Sequence, residues 1–384
     1  MSLCVDQVLH YHLRFYQLLG LHGLPLSGDV YLERNSRVLR LWGGCLLISF
    51  SGVALLCLIS DDAYLYPDDG FGYFNDAMKY GFAELAVLSI YVETMWQRSH
   101  QARFWKLYAE LATTTTPTPT PPLGNVGILM KRHRRYLIAF YGTLLTEMVL
   151  LGMFVCLQDI TRNLLLFWTT FQPFVFVVHL RNTQFVLHLE VVRQQIRQLD
   201  SELALLVEYS GFASGAASFP GFEDYLRRQL REKQLIYERI YELCFSFRRS
   251  FSYSMLTVLL MIYIRIAVDC YFMLYTVHNN INNIDYFLIL PAVLHVVVLI
   301  YASQSCMQMV PRIAYQLHNI VANSPALSLQ IQNFSLQMLH EPVRIDCLGI
   351  IILDSHLLTR TACAVSTYMI YTTQLMPKLS GPSE

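Results

Sequence analysis

The stretch Cys347–Met376 reads CLGIIILDSHLLTRTACAVSTYMIYTTQLM and decides the fold. It is long and apolar enough to predict a helix that spans a membrane. Thr367 and Gln374 lie seven residues apart, so two helical turns place them on one face, with Tyr371 between them. A glutamine that faced hydrocarbon would leave its amide group unsatisfied. We therefore expect this face to meet protein or water.

The composition independently indicates a membrane protein. The chain of 384 residues is 54% hydrophobic and only 15% charged, which is outside the range of ordinary soluble domains. Its 28 basic residues balance 28 acidic ones, so the charge predicts no nucleic-acid partner. The nine cysteines show no CxxC or His/Cys ligand spacing, so we predict no metal site, no disulfide framework and no cofactor.

Seven segments have the length and apolarity of membrane-spanning helices. They are residues 39–60, 77–96, 136–157, 164–188, 252–277, 286–306 and 349–376. The second is the least apolar, because Lys79, Glu84 and Glu93 interrupt it. The sequence therefore predicts an all-α membrane protein with seven transmembrane helices.

The distribution of Lys and Arg predicts the orientation of these helices. Basic residues concentrate in the N-terminal segment and in the second, fourth and sixth loops, whereas the other side carries only Arg162 and Lys378. The positive-inside rule then places the N-terminus in the cytosol and the C-terminus outside the cell. This orientation is opposite to that of a G-protein-coupled receptor. The first loop is acidic and holds no basic residue, so we expect it to attract cations.

The end of the chain resembles the C-terminal signature of the insect gustatory receptors. That signature is a Thr-Tyr pair, five mostly apolar residues and then Gln-Phe. Here it stands as Thr367, Tyr368, five residues, Gln374, and Leu375 in place of phenylalanine. The resemblance covers about the final fifth of the chain in detail and includes Phe334-Ser335-Leu336-Gln337, Leu339-His340-Glu341, Gly349, Leu353-Asp354 and Leu357-Leu358.

The resemblance implies a tastant-gated, non-selective cation channel in the plasma membrane of chemosensory neurons. One seventh helix cannot enclose a pore, but several copies around a symmetry axis can. The family implies a homo- or heterotetramer of identical or related subunits with a central pore. Thr367 and Tyr371 would line that pore, Gln374 and Leu375 would form its gate, and Tyr368 would pack against a neighbouring helix.

The predicted organisation has three parts. Residues 1–308 carry the first six transmembrane helices and their cytosolic loops, residues 309–345 form cytosolic anchor helices, and residues 346–384 form the pore-lining seventh helix with a short extracellular tail. Within the first part, residues 113–122 read TTTTPTPTPP and predict a disordered linker. Residues 190–250 carry charges spaced for amphipathic helices and predict a cytosolic helical extension.

A small-molecule tastant is expected in the outer half of the helix bundle. Pockets for such ligands combine aromatic walls with a few polar groups, and the candidates of that kind are Glu84, Trp168, Asp269, Tyr271 and Tyr275. Asp269 also has a purely structural interpretation, because Arg265 four residues earlier can neutralise it. Sugar-sensing relatives tend to carry an acidic residue after the Thr-Tyr pair. This chain has Met369 there, which favours a bitter or other non-sugar receptor.

Other function classes have less support. The chain shows no nucleophile elbow, phosphate-binding loop, paired-histidine motif or dinucleotide fingerprint, so we do not predict an enzyme. One alternative is a channel subunit that resembles the insect odorant receptors. Another is a secondary transporter that uses the intramembrane carboxylates, although the lack of an internal repeat disfavours it.

Overall fold

The helices account for almost all of the described chain, so the predicted all-α class is confirmed. The computed structural model describes residues 3–25, 37–59, 70–114, 123–157, 162–215, 221–278, 289–322 and 324–379. In these ranges the chain forms eleven helices and one two-stranded antiparallel hairpin. They are α1 (Leu3–Leu18), α2 (Arg37–Ile59), α3 (Gly70–Trp96), α4 (Arg98–Thr114), α5 (Leu123–Leu157), α6 (Arg162–Gly215), α7 (Phe222–His278), α8 (Ile289–Met307), α9 (Val310–His318), α10 (Pro325–His340), β1 (Asp346–Cys347), β2 (Ile351–Ile352) and α11 (Ser355–Leu379).

Helix α6 lies at the centre of the bundle. Every residue from Val177 to Arg193 is buried, and α6 packs against α3, α5, α7, α8 and α9. A helix that is covered on all sides has no lipid-facing surface. Its polar residues, such as Arg181 and Gln184, therefore meet protein groups.

Length and composition alone mark four stretches of the described helices as able to cross a membrane. They are Arg37–Cys57, Arg134–Met153, Phe222–Leu274 and Ile289–His318. The predicted spans in α3, α6 and α11 are more polar. In α3 and α6 the charged side chains of Lys79, Glu93 and Arg181 are buried in the protein, and such inward-facing charges are tolerated in membrane helices.

Helices α6 and α7 are 54 and 57 residues long. At about 1.5 Å per residue each exceeds 80 Å, which is far more than the roughly 30 Å of a bilayer core. The charged segment 190–250 therefore continues the membrane helices as long extensions, apart from residues 216–220, which lie outside the described ranges. Residues 115–122 of the Thr/Pro linker and 380–384 of the tail also lie outside them.

The last helix begins at Ser355, so the predicted span 349–376 starts too early. Residues 346–352 instead form a hairpin, in which Leu348 and Gly349 take left-handed φ values of 57° and 75°. The Asp346 carboxylate accepts the Gly349 amide at 2.8 Å and closes the turn. The Asp354 carboxylate then accepts the Leu357 amide at 3.2 Å and caps α11. The apolar run of 349–353 concealed these two turn-forming aspartates.

Candidate functional site: the last helix and two buried ion-pair networks

One face of α11 points away from the rest of the chain. Thr367, Tyr371 and Gln374 are all exposed on it, Tyr371 by 64%. The Thr367 hydroxyl donates to the Cys363 carbonyl at 2.9 Å, inside the same helix. The side chain of Leu375, the predicted gate residue, lies outside the described part of the chain. This exposed polar face is what a single chain offers to a neighbouring molecule or to water.

A second face of α11, about 100° around the helix from Thr367, packs on the bundle. The Tyr368 hydroxyl donates to Oδ1 of Asn75 on α3 at 3.0 Å, and its ring packs against the cluster of Val268, Tyr271 and Phe272 on α7. Tyr368 therefore fixes α11 against α3 and α7, while the polar face remains on the outside.

Four charged side chains form a buried network between α3, α5 and α7. Nζ of Lys79 lies 2.7 Å from Oδ1 of Asp269, and Nη2 of Arg265 lies 2.6 Å from Oε1 of Glu147. Nε of Arg265 is also 3.6 Å from Oδ2 of Asp269, which joins the two pairs. None of the four side chains is more than 5% exposed. Two positive and two negative charges cancel in this four-charge network, so each charge is compensated despite its burial.

The predicted pairing of Arg265 with Asp269 is only the weaker contact of this network. Asp269 has Lys79 as its closer partner, and Arg265 has Glu147. Two residues four apart share one face of α7. On that face, the charges of Lys79 from α3 and Glu147 from α5 come nearer than the neighbour along the chain. The sequence spacing could not show this, because Lys79 and Asp269 are 190 residues apart.

Histidines and aromatic rings surround the four-charge network. Nε2 of His179 lies 3.8 Å from Oε2 of Glu147, and the rings of His179 and His295 are 4.2 Å apart. The Lys79 ammonium lies 5.6 Å from the centre of the Phe171 ring, within the range of a cation–π interaction. Aromatic walls with a few polar groups are the usual lining of a small-molecule site. Among the described residues no group of three or more His, Cys, Asp or Glu side chains is placed to hold a metal ion.

The residues predicted to bind ligand lie on three helices. Asp269 belongs to the four-charge network, whereas Tyr271 belongs to the apolar cluster beside α11. Glu84 is half-buried on α3. Trp168 on α6 and Tyr275 on α7 have side chains outside the described part of the structure. The structure thus places Asp269 and Tyr271 in different surroundings, although they are two residues apart.

A second ion pair is inserted into the middle of α7. Arg181 of α6 is fully buried, and its Nη2 lies 2.9 Å from Oε2 of Glu93 on α3. Glu93 accepts the backbone amides of Tyr253 and Ser254 at 2.8 and 3.0 Å. Arg181 donates to the carbonyl of Ser250 at 3.0 Å. In an uninterrupted helix the amide of Ser254 and the carbonyl of Ser250 bond to each other. The inserted pair reaches both groups and joins α3, α6 and α7 at one level.

Helix α7 is also attached to the hairpin that precedes α11. Nη2 of Arg248 lies 2.7 Å from Oδ1 and 2.6 Å from Oδ2 of Asp346. Cys244, one turn earlier, donates to the Arg344 carbonyl at 3.6 Å. Burial raises the pKa of the Cys244 thiol to about 12, so it stays protonated at neutral pH. The hairpin that precedes α11 is therefore fixed to α7 by a charge-assisted hydrogen bond.

From the sequence, Arg265 was a possible partner of Asp269, and Lys79 and Glu93 were only charges that interrupt the second span. The structure pairs Lys79 with Asp269, Glu147 with Arg265 and Arg181 with Glu93, and none of these three pairs was predicted. The available signal was a cation within each of three predicted spans, Lys79 in 77–96, Arg181 in 164–188 and Arg265 in 252–277. Which cation meets which carboxylate depends on helix packing, and one sequence does not contain that information.

The family of the chain follows from a sequence profile. The profile of the family described as 7tm Chemosensory receptor matches residues 9–375. The chain belongs to this family. It is therefore a multi-pass membrane protein and a chemosensory receptor, and the family resemblance seen at its C-terminal end is confirmed. Because the family consists of receptors, the prediction that the chain is not an enzyme is also confirmed.

Individual relatives of this chemosensory receptor agree with the family. It is 23% identical to "Putative gustatory receptor 2a" of Drosophila melanogaster, with 90% of each chain covered. Its fold is similar to that of the insect olfactory receptor OR5 from Machilis hrabei in complex with eugenol, with a TM-score of 0.68 and 11% identity, covering 96% of this chain and 98% of that one. A second structure of OR5 from Machilis hrabei gives a TM-score of 0.65 and 12% identity, and the match covers 95% of this chain and 99% of that one. The receptor therefore has the insect olfactory receptor fold.

Proposed function

We propose that this chemosensory receptor is a tastant-gated, non-selective cation channel of sensory neurons. Four identical or related subunits would surround a central pore lined by α11. The observation that carries the proposal is the exposed face of α11 with Thr367, Tyr371 and Gln374. Three polar side chains on the surface of a membrane helix need water or protein around them. A symmetric ring of subunits supplies both.

A gustatory role is supported by the similarity to a relative named as a gustatory receptor. Met369, which follows the Thr-Tyr pair, supports a bitter or other non-sugar tastant within that role. The fold shared with an olfactory receptor supports a second candidate, an odorant-receptor-like channel subunit. The transporter alternative is less favoured, because Glu147 and Asp269 are held by Arg265 and Lys79 and do not offer an open site for a coupling ion.

The function is tested by recording currents from cells that express the receptor, alone and together with related receptors. A panel of bitter, sugar and volatile compounds should include one that evokes an inward cation current within milliseconds. The same cells without the receptor provide the control. A response that requires G proteins and carries no direct current would contradict the channel proposal, and a response to volatiles alone would favour the odorant-receptor candidate.

The proposed topology gives the first prediction. An epitope tag after Glu384 should bind antibody on intact cells, because the C-terminus is proposed to lie outside. A tag before Met1 should bind antibody only after the membrane is permeabilised. The basic second and fourth loops support this orientation. The reverse pattern of labelling would rule out the proposed orientation of α11 and its gate.

The second prediction concerns the pore face. Gln374→Ala should change ion selectivity or basal current without loss of tastant binding. Replacing Leu375 with asparagine should raise the leak current, because a polar side chain wets an apolar constriction. A cysteine scan of α11 in a Cys45→Ser, Cys156→Ser, Cys363→Ser background should show reaction with aqueous thiol reagents at Thr367, Tyr371 and Gln374.

The same scan contains its own control. Thr372 is only 3% exposed and lies on the packed side of α11, so a cysteine there should stay unreactive. Native Cys244 should stay silent as well, since burial keeps its thiol protonated. Equal reactivity at positions 371 and 372, in a receptor that still responds to tastant, would place the pore elsewhere.

The third prediction separates ligand contacts from structural charges. Trp168→Ala should lower tastant sensitivity about tenfold, equivalent to about 1.4 kcal/mol, and leave surface expression unchanged. Asp269→Asn should lower surface expression as well, because it removes the carboxylate 2.7 Å from Lys79. Dose–response currents and surface labelling measure the two effects. Normal expression of Asp269→Asn with lowered sensitivity would mean that Asp269 acts mainly on the ligand.

A further inference from the structure

A groove lies between α3, α7 and α11, on the packed side of the last helix. Its volume is about 410 Å³, within the range of small-molecule sites. Its walls are apolar and include Met78 on α3, Ile264 and Val268 on α7, and Ala364 and Val365 on α11. The groove follows α11 from Arg360 to Tyr368, a rise of about 12 Å.

Asn75 brings to the groove wall a buried polar atom without a hydrogen-bond partner among the described residues. Asn75 is 1% exposed and lines the groove. Its Oδ1 accepts the Tyr368 hydroxyl at 3.0 Å, and its Nδ2 has no hydrogen-bond partner among the described residues. An amide donor buried without an acceptor costs folding free energy. A ligand oxygen in the groove would relieve that cost.

We propose that this groove binds an uncharged, mostly apolar small molecule that presents a carbonyl or ether oxygen to Nδ2 of Asn75. The apolar walls account for the apolar body of the molecule, and the unpaired amide donor of Asn75 accounts for its acceptor oxygen. The length of about 12 Å is shorter than half a bilayer core of about 30 Å, which favours a compact molecule over a lipid acyl chain.

The groove is distinct from the four-charge network. Its residues on α11 are Arg360, Thr361, Ala364, Val365 and Tyr368, whereas the four charges lie on α3, α5 and α7. An occupant would touch α11 beside the face that carries Thr367, Tyr371 and Gln374, and Ala364 lies one helical turn before Thr367 on that same face. If α11 lines the pore, as the proposed function states, this molecule would modulate gating by favouring one position of α11.

Photolabelling with benzophenone tests the proposal without any current measurement. Benzophenone is an uncharged apolar ketone that labels nearby C–H bonds under ultraviolet light. The purified full-length receptor in lipid nanodiscs should be labelled within 360–368 of α11 and 74–78 of α3. Asn75→Leu should lower the labelling about fivefold, the equivalent of one neutral hydrogen bond.

Two alanines of α11 provide a filling variant and its control. Ala364 lines the groove, so Ala364→Phe should fill it and lower labelling at least tenfold. Ala362 is exposed and does not line the groove, so Ala362→Phe should leave labelling unchanged. Thermal unfolding of each variant shows that it is folded, so that a loss of labelling reports on the groove.

Two outcomes would overturn the proposal. The first is equal labelling of Ala364→Phe and Ala362→Phe. The second is labelling of the groove by phosphatidylcholine with a photoreactive acyl chain that benzophenone does not displace, which would make the occupant a lipid. Both outcomes are read from labelled peptides. These labelling results do not depend on whether the receptor conducts ions. The channel proposal is tested separately, by recording currents.

Discussion

Replacing Glu147 with glutamine is expected to destabilise the folded receptor by about 3–5 kcal/mol. Glu147 is fully buried, and its carboxylate lies 2.6 Å from Nη2 of Arg265. Glutamine removes the negative charge but not the positive one, so the buried four-charge network keeps two cations and one carboxylate. Thermal unfolding of the purified receptor in detergent, followed by intrinsic fluorescence, measures the loss.

The double variant Glu147→Gln, Arg265→Met should recover much of this stability. It removes both members of one pair and leaves Lys79 with Asp269, which are neutral together. Glu242→Gln is the matched control, because Glu242 is 40% exposed and lies 3.2 Å from Arg103. Such surface pairs contribute about 0–1 kcal/mol. Equal losses for Glu147→Gln and Glu242→Gln would mean that the buried network does not depend on charge balance.

Arg181→Met is expected to have an effect of similar size, about 3–5 kcal/mol. The guanidinium of Arg181 bonds to Glu93, Gln184, Ser254 and the Ser250 carbonyl. Methionine fills a similar volume but leaves the Glu93 carboxylate buried without its cation. Surface expression in cells and thermal unfolding of the purified protein should both fall.

The stability and surface expression of Arg181→Lys should fall nearly as far as those of Arg181→Met. A lysine carries the charge, but its single ammonium cannot reproduce the planar fork that reaches several acceptors. Arg103→Met supplies the control, since the Arg103 side chain is 53% exposed. Wild-type stability of Arg181→Lys would show that a point charge is sufficient at this position and that the planar hydrogen-bond geometry of arginine is not required.

The membrane-spanning helices of this receptor were predictable because each appears in the sequence as a long run of mostly apolar residues. The predicted span 136–157 lies within α5, and residues 39–59 of the span 39–60 lie within α2. The start of α11 was not predictable, because most of the residues just before Ser355 are as apolar as those of a membrane-spanning helix. Only the hydrogen bonds of Asp346 and Asp354 show that they form a hairpin and a cap.

The candidate site was predictable to the extent that it follows helical periodicity. The spacing of Thr367, Tyr371 and Gln374 places them on one face without knowledge of any other helix. The packing contacts of Tyr368 join distant parts of the chain, because its partner Asn75 lies 293 residues away in the sequence. Contacts of that kind depend on how helices rotate and pack, which a single sequence does not specify.

The buried pairs also constrain the biogenesis of the receptor. When α3 leaves the ribosome, neither Arg181 nor Asp269 has been synthesised. Arg181 lies 88 residues after its partner Glu93, and Asp269 lies 190 residues after its partner Lys79. A lysine at the centre of a bilayer costs about 2.5–3.5 kcal/mol on translocon scales, and charges near the ends of a span, where Lys79 and Glu93 lie, cost less. Helix α3 therefore depends on α6 and α7 for its final place. A chain that stops before α7 would leave Lys79 without Asp269, and the quality control of the endoplasmic reticulum would have a physical signal by which to recognise it.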